Sequence, residues 1–266
     1  AEPADSSRDA ATQGGPHPAA AAEQAGGSQR RPLSTFAPPS PTVEARFHPA
    51  LEVDALRWSA VAEALVGRHA ERWSGALHAL LAADDAGRSL IGVAGAAPGA
   101  GTTTVLGCLG RILVDAGKTV ALVDGNFTAP GLARTLGLAA DLGWEDVLAG
   151  RTPLADAVIH AIEDRLAILP LTQGGLPAAE KLDSIHASVT AGVLRYHYDV
   201  ILFDLGNLAQ PQQSAIASRL AARCRLDGLL VIETREARLG PSRLSNLAPS
   251  LASLCLGAIE NQSLDR

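Results

Sequence analysis

The stretch richest in potential chemistry is Gly95-Ala-Ala-Pro-Gly-Ala-Gly-Thr-Thr-Thr104. An apolar run precedes it and a helical pattern follows. Its small residues can therefore turn successive backbone N–H groups inward around an anion, at the positive end of a helix. Set against the phosphate-binding spacing GxxxxGK[ST], Gly101 takes the second glycine and Ala96 the first. Thr102 then falls where the lysine belongs, and Thr103 supplies the hydroxyl that meets magnesium. Phosphate contacts are expected from Pro98, Gly99, Ala100, Gly101, Thr102, Thr103 and Thr104. An ammonium at position 102 would bridge the β- and γ-phosphates, a charge-assisted contact worth ~1.5–3 kcal/mol. Its absence weakens binding roughly ten- to hundredfold, before any loss of transition-state stabilisation. Arg134 and Arg235 are the candidates to compensate, by position alone. Binding can survive the loss; efficient phosphoryl transfer is not expected.

Two further apolar runs end in acid, Val120-Ala-Leu-Val-Asp124 and Val200-Ile-Leu-Phe-Asp204. An aspartate leaving a buried strand at its carboxyl edge lies beside such a phosphate site, where it can hold magnesium through water or orient a nucleophile. Asp124 is the catalytic candidate; Thr103 and Asp204 are the metal candidates. The competing reading is a turn-former that caps the next segment. Asp141, Asp156 and Asp164 are read as surface or cap residues. The loop itself has two rival readings. One is a glycine-rich turn without a ligand. The other is a dinucleotide fingerprint, with Gly99-x-Gly101 followed about twenty residues on by Asp124. That fingerprint would put Thr104 where a smaller residue is needed, and a run of hydroxyls suits phosphate and magnesium better.

Composition narrows the function classes. A net charge of −6 disfavours a nucleic-acid partner, whose phosphates need a basic face. Cys108, Cys224 and Cys255 are an odd number, far apart, which suits buried thiols in a reducing compartment. The seven histidines show no metal-ligand spacing. No signal-peptide pattern opens the chain, which holds no methionine and so starts without its initiator, as a fragment or a processed product would. Ser89–Gly110 is uncharged and long enough to span a bilayer, but its six glycines and Pro98 make it strand, loop and helix instead.

These residues need elements to position them. Apolar runs predict strands over Leu90–Ala94, Thr119–Val123, Leu166–Leu171, Val200–Leu205, Leu229–Ile232 and Leu256–Ile259. Helical patterns fall at Thr103–Ala116, Leu132–Leu136, Glu145–Ala149, Leu154–Ile162, Ala178–Arg195, Gln212–Cys224 and Ser242–Cys255. Thr152-Pro153 reads as a capping hydroxyl with proline at the first helical position. Such alternation means right-handed crossovers and a mostly parallel sheet with helices on both faces, with ligands beyond the carboxyl ends of the strands. Upstream, residues 47–87 read as an amphipathic helical segment in which Trp58 and Trp73 anchor packing. Residues 1–46 read as a disordered tail or linker, since residues 1–42 carry seven of the sixteen prolines and few large apolar side chains. The α/β domain is expected over residues 88–266.

Four stretches carry a family resemblance: Pro98-Gly-Ala-Gly-Thr-Thr, Val-Asp124-Gly-Asn-Phe-Thr-Ala-Pro130, Gly143-Trp-Glu-Asp-Val-Leu-Ala-Gly150 and Tyr198-Asp-Val-Ile-Leu-Phe-Asp204. Together, over about Ser89 to Gln262, they resemble the bacterial tyrosine kinases of capsular-polysaccharide synthesis (CpsD/CapB type), which group with the MinD and ParA ATPases among P-loop proteins. The resemblance implies a P-loop NTPase-like fold, ATP and Mg²⁺ as cofactors, a cytoplasmic location and a membrane-protein partner in polysaccharide export. It also implies homo-oligomer formation, and an adenine contact from Asn261. Departures accompany it. Thr102 replaces the lysine, Asn126 the second aspartate of an Asp-x-Asp motif, and Thr128 the arginine after it. Leu-Gly-Asn follows Asp204 where those kinases carry Thr-Pro-Pro. Ala97 lacks the extra lysine of the ParA/MinD signature. No tyrosine cluster closes the chain, and Tyr196 and Tyr198 read as structural. The expected function is a catalytically impaired ATP-binding regulator. An active ATPase or tyrosine kinase, and a nucleotide-free interaction module, are the alternatives.

Overall fold

A computed structural model describes residues 47–68 and 70–261, so the expectations for the tail of residues 1–46 and for Gln262 lie outside the described residues. The first segment holds β1 (Leu51–Val53), α1 (Ala60–Arg68), a 3-10 turn (Ala70–Trp73) and α2 (Ser74–Asp85). Next come β2 (Leu90–Gly95), α3 (Thr102–Asp115), β3 (Val120–Asp124), α4 (Leu132–Thr135), α5 (Trp144–Leu148), α6 (Leu154–Ala157), β4 (Ile159–Ala161) and β5 (Leu166–Leu169). The last part comprises α7 (Leu176–Glu180), α8 (Ile185–His197), β6 (Val200–Asn207), α9 (Pro211–Cys224), β7 (Gly228–Glu233), α10 (Pro241–Leu247), α11 (Pro249–Ala252) and β8 (Cys255–Glu260).

The eight strands form one sheet in the order β1-β4-β5-β3-β6-β2-β7-β8. All neighbours run parallel except β4 and β5. Alternate residues of the central strands serve two separate cores, because successive side chains point to opposite faces. Leu90, Val123, Phe203 and Val231 pack on one face with Trp144, Leu194 and Leu220. Ile91, Leu122, Leu202 and Leu230 pack on the other with Leu106, Leu109 and Leu113 of α3 and with Trp73 and Leu80. Such double burial requires the near-continuous apolar runs seen in the sequence. Ser89–Gly110 is accordingly strand, loop and helix, and no described helix is long and apolar enough to cross a membrane.

Several local expectations are corrected. Helix was expected over Leu154–Ile162, but α6 stops at Ala157 and β4 follows. β-Branched Ile159 is drawn into the sheet by pairing on both sides, antiparallel to β5 and parallel to β1. Pro153 is itself the residue before the helix, with extended ψ of 152°, and no side chain caps it. The pattern at Ser242–Cys255 is broken by Pro249 into α10 and α11, and Cys255 opens edge strand β8, where its thiol is exposed. Only Cys108 and Cys224 are buried thiols. Tyr196 is 75% exposed, so it packs no core.

Asp164 is not a surface cap but a tie between segments. Its Oδ2 accepts the Leu56 N–H at 2.6 Å and its Oδ1 accepts the Trp58 indole N–H at 2.7 Å. Trp58 also lies beneath the Arg111 guanidinium, 5.4 Å from the ring centre, and against Gly107 of α3. Trp73 is buried and donates its indole N–H to the Leu65 carbonyl at 3.0 Å. Both tryptophans anchor packing, as the sequence predicts.

Candidate functional site

The loop between β2 and α3 is shaped by glycine. Gly99 (φ +73°) and Gly101 (φ +80°) both adopt left-handed backbone that a side chain would strain. The first helical hydrogen bond runs from the Val105 N–H to the Gly101 carbonyl at 2.9 Å. The amides of Thr102, Thr103 and Thr104 therefore precede any intrahelical acceptor and face the end of the helix. A Cβ at Gly99 would meet nothing within 4 Å. The loop is an open cradle of backbone donors, suited to an anion.

Around it opens a cleft of about 460 Å³. Its walls are the whole loop from Ala97 to Thr104, the turn after β3 (Asn126, Thr128, Ala129), Thr135 of α4, and the end of β6 with the turn beyond it (Gly206, Asn207, Gln210). Among the described residues, no charged side chain lines it. Arg134 and Arg235 are both exposed and belong to neither wall. Thr102 is buried and tucks beneath the loop, its hydroxyl so close to Gly95 that a Cβ there would lie 2.5 Å away. Asn261 backs the loop from the other side, its amide donating to the Ala100 carbonyl at 2.8 Å.

Asp124 and Asp204 are direct cross-strand neighbours on β3 and β6, both fully buried on the α3 face. The Thr103 hydroxyl donates to Asp204 Oδ2 at 2.6 Å, and the Gly206 N–H donates to Oδ1 at 2.9 Å. Asp124 accepts three amides: Asn126 on Oδ1 at 3.1 Å, and Gly131 and Leu132 on Oδ2 at 3.0 Å each. It therefore caps α4 while standing behind the cleft wall. Burial, with the neighbouring Asp204 charge second, pushes the Asp124 carboxyl up to about 7. Burial raises Asp204 too, although the Thr103 and Gly206 hydrogen bonds oppose it.

The residues present fit a nucleotide's phosphates through backbone amides and hydroxyls. They fit a hard divalent cation through Thr103 and, behind it, Asp204, an all-oxygen set. Among the described residues, no group of three or more His, Cys, Asp or Glu could hold a metal by itself. A cation here would depend on phosphate oxygens for the rest of its shell. A second groove of about 350 Å³, between α5, α6 and α8, is lined mainly by apolar side chains and holds none of these residues.

Sequence reasoning missed two residues that shape the cleft. Gln213 of α9 is fully buried and hydrogen-bonds the turn after β3 and the Leu205 carbonyl of β6. The signal was available, because it sits on the apolar stripe of α9 with Ile216, Ala217 and Leu220. Glu145, read in the sequence as the start of a helix and as part of the resemblance but given no role, is 5% exposed. It accepts the Thr172 hydroxyl and the Thr172 N–H at 2.9 Å, fixing the 172–175 turn against the turn after β3.

Residues 88–237, more than half of the chain, match the family described as cellulose biosynthesis protein BcsQ. Solved structures share the fold at low sequence identity. The chimerical protein CapA2B2 aligns with a TM-score of 0.65 at 16% identity, covering 81% of this chain and 96% of that one. The VpsO kinase domain gives 0.62 at 20%, covering 77% and 99%. The kinase domain of the Escherichia coli tyrosine kinase ETK gives 0.57 at 17%, covering 67% and 70%. No curated protein matches the sequence. The resemblance to the bacterial tyrosine-kinase branch of P-loop proteins thus holds at the level of fold.

Proposed function

This chain belongs to the family of the cellulose biosynthesis protein BcsQ, and on that premise we propose that it is an ATP-binding regulator of polysaccharide biosynthesis or export with little capacity for phosphoryl transfer. One observation carries this. The cradle of loop amides is open, while the position that should supply its cation is Thr102, buried beneath the loop. Pro98 to Thr104 would hold the phosphates. Thr103 and Asp204 would hold magnesium, which when bound supplies charge neutralisation at the β- and γ-phosphates. Asp124, one residue before the turn that lines the cleft, fixes that turn and stands behind it as the candidate proton acceptor. A nucleotide-free module is less well supported, because among the described residues no side chain fills the cleft.

The proposal carries with it a cytoplasmic location, where ATP is available, and a membrane-protein partner. Phosphate release from Mg-ATP tests the catalytic half. Release by the wild type should be no faster than by Asp124→Ala or Asp204→Ala. Turnover that either substitution abolishes would make this a working ATPase instead.

A further inference from the structure

We infer that Gln213 is the positioning residue of the cleft, holding the turn 125–130 in place as its outer wall. The inference rests on the nucleotide-binding reading and adds the element that shapes that site. Gln213 uses its whole hydrogen-bonding capacity. Its amide nitrogen donates to the Gly125 carbonyl at 3.1 Å and to the Leu205 carbonyl at 2.9 Å. Those two partners can only accept, which fixes the orientation of the amide. Its oxygen must then face Thr128, and it accepts the Thr128 N–H at 3.2 Å and hydroxyl at 3.0 Å.

One side chain thus joins three pieces of backbone: the exit of β3 just after Asp124, the last residues of β6 just after Asp204, at Leu205, and the cleft-lining residue Thr128. Asp124 holds the two ends of the turn through the Asn126 and Gly131 amides, and the Asp204 carbonyl accepts the Gly125 N–H at 2.9 Å; Gln213 holds its middle at Thr128. Phe127 points the other way, into the core beside Trp144 at 5.8 Å, and the Gly175 N–H meets its carbonyl at 2.6 Å. Gln213 and Phe127 grip opposite sides of the turn, which leaves Asn126 and Thr128 on the cleft. A buried amide whose four bonds all end on backbone or on a cleft residue has a placing role beyond filling space.

Gln213→Met tests this, since it keeps length and near-volume while removing all four bonds. In the folded variant, Mg-ATP affinity measured by calorimetry should fall on the order of tenfold or more, the scale on which outer partners of a binding site act. Amide exchange at residues 125–131 should accelerate relative to α3. A purely structural glutamine would lower the melting temperature and leave the affinity of the folded protein unchanged, which overturns the inference. If Gln213→Met does not fold, Thr128→Val reads the same contact from the surface. Faster exchange at 125–127 in that variant supports the inference, and exchange equal to wild type overturns it. Should the wild type bind no nucleotide, the nucleotide-binding reading fails on its own. The exchange comparison still decides whether Gln213 holds the turn.

Discussion

Thr102 decides what the cleft can do with a nucleotide, and restoring the ammonium is the sharpest residue-level test. Thr102→Lys places a charged donor at the head of the α3 amides, and ATP affinity should rise by roughly ten- to hundredfold, from ~1.5–3 kcal/mol of added contact. ADP affinity should rise less, because ADP lacks the γ-phosphate that the ammonium would bridge to the β-phosphate. Equal gains for both nucleotides, or none, in parallel titrations would show that position 102 does not face the phosphates. The buried carboxyl pair gives a second prediction. Asp124 is raised by burial to about 7 from an ordinary value of 3.8. The folded state therefore binds a proton more tightly than the unfolded chain. Its contribution to stability is complete below about pH 4 and is lost as pH rises through about 7. Melting temperature should fall from pH 5 to pH 7.5 more steeply in wild type than in Asp124→Asn, which cannot ionise. Parallel slopes would contradict a raised Asp124.

Among elements, the loop and α3 were legible because glycine spacing and a strand–helix context are local signals. The helix begins one residue from the expected start. Both aspartates were also legible, since four apolar residues in a row followed by acid mark a buried strand reaching the edge of the core, although β6 runs on to Asn207. What escaped depends on partners distant in sequence. β1 is three residues long on an exposed edge, and β4 reads helical until β5 lies beside it. Asp164 looked like a cap because its acceptors serve Leu56 and Trp58, more than a hundred residues upstream. Asp164→Ala should cost about 2 kcal/mol, the penalty for leaving two partly buried donors unmet. Denaturant unfolding checks the magnitude, and a loss within experimental scatter would mean that the 51–85 segment is held by packing alone. Gly101→Ala should also destabilise, by about 1–2 kcal/mol from the left-handed backbone. Its Cβ would additionally come within 2.6 Å of the Asn261 amide that backs the loop.

At the scale of the molecule, the chain carries a net charge of −6 and the described walls of its cleft are neutral. A net negative charge does not favour the approach of an anionic nucleotide, so the backbone cradle must supply the affinity. That makes binding sensitive to divalent cation, which offsets phosphate charge. The family likeness identified the fold. It could not tell whether a loop without lysine still works, because that depends on side-chain packing beneath Gly95. Isothermal titration of the chain with ATP, with and without magnesium, addresses this most directly. Saturable heat below millimolar ATP that depends on magnesium is the predicted result. No heat at millimolar nucleotide in either buffer would contradict nucleotide binding and leave the loop as a structural turn.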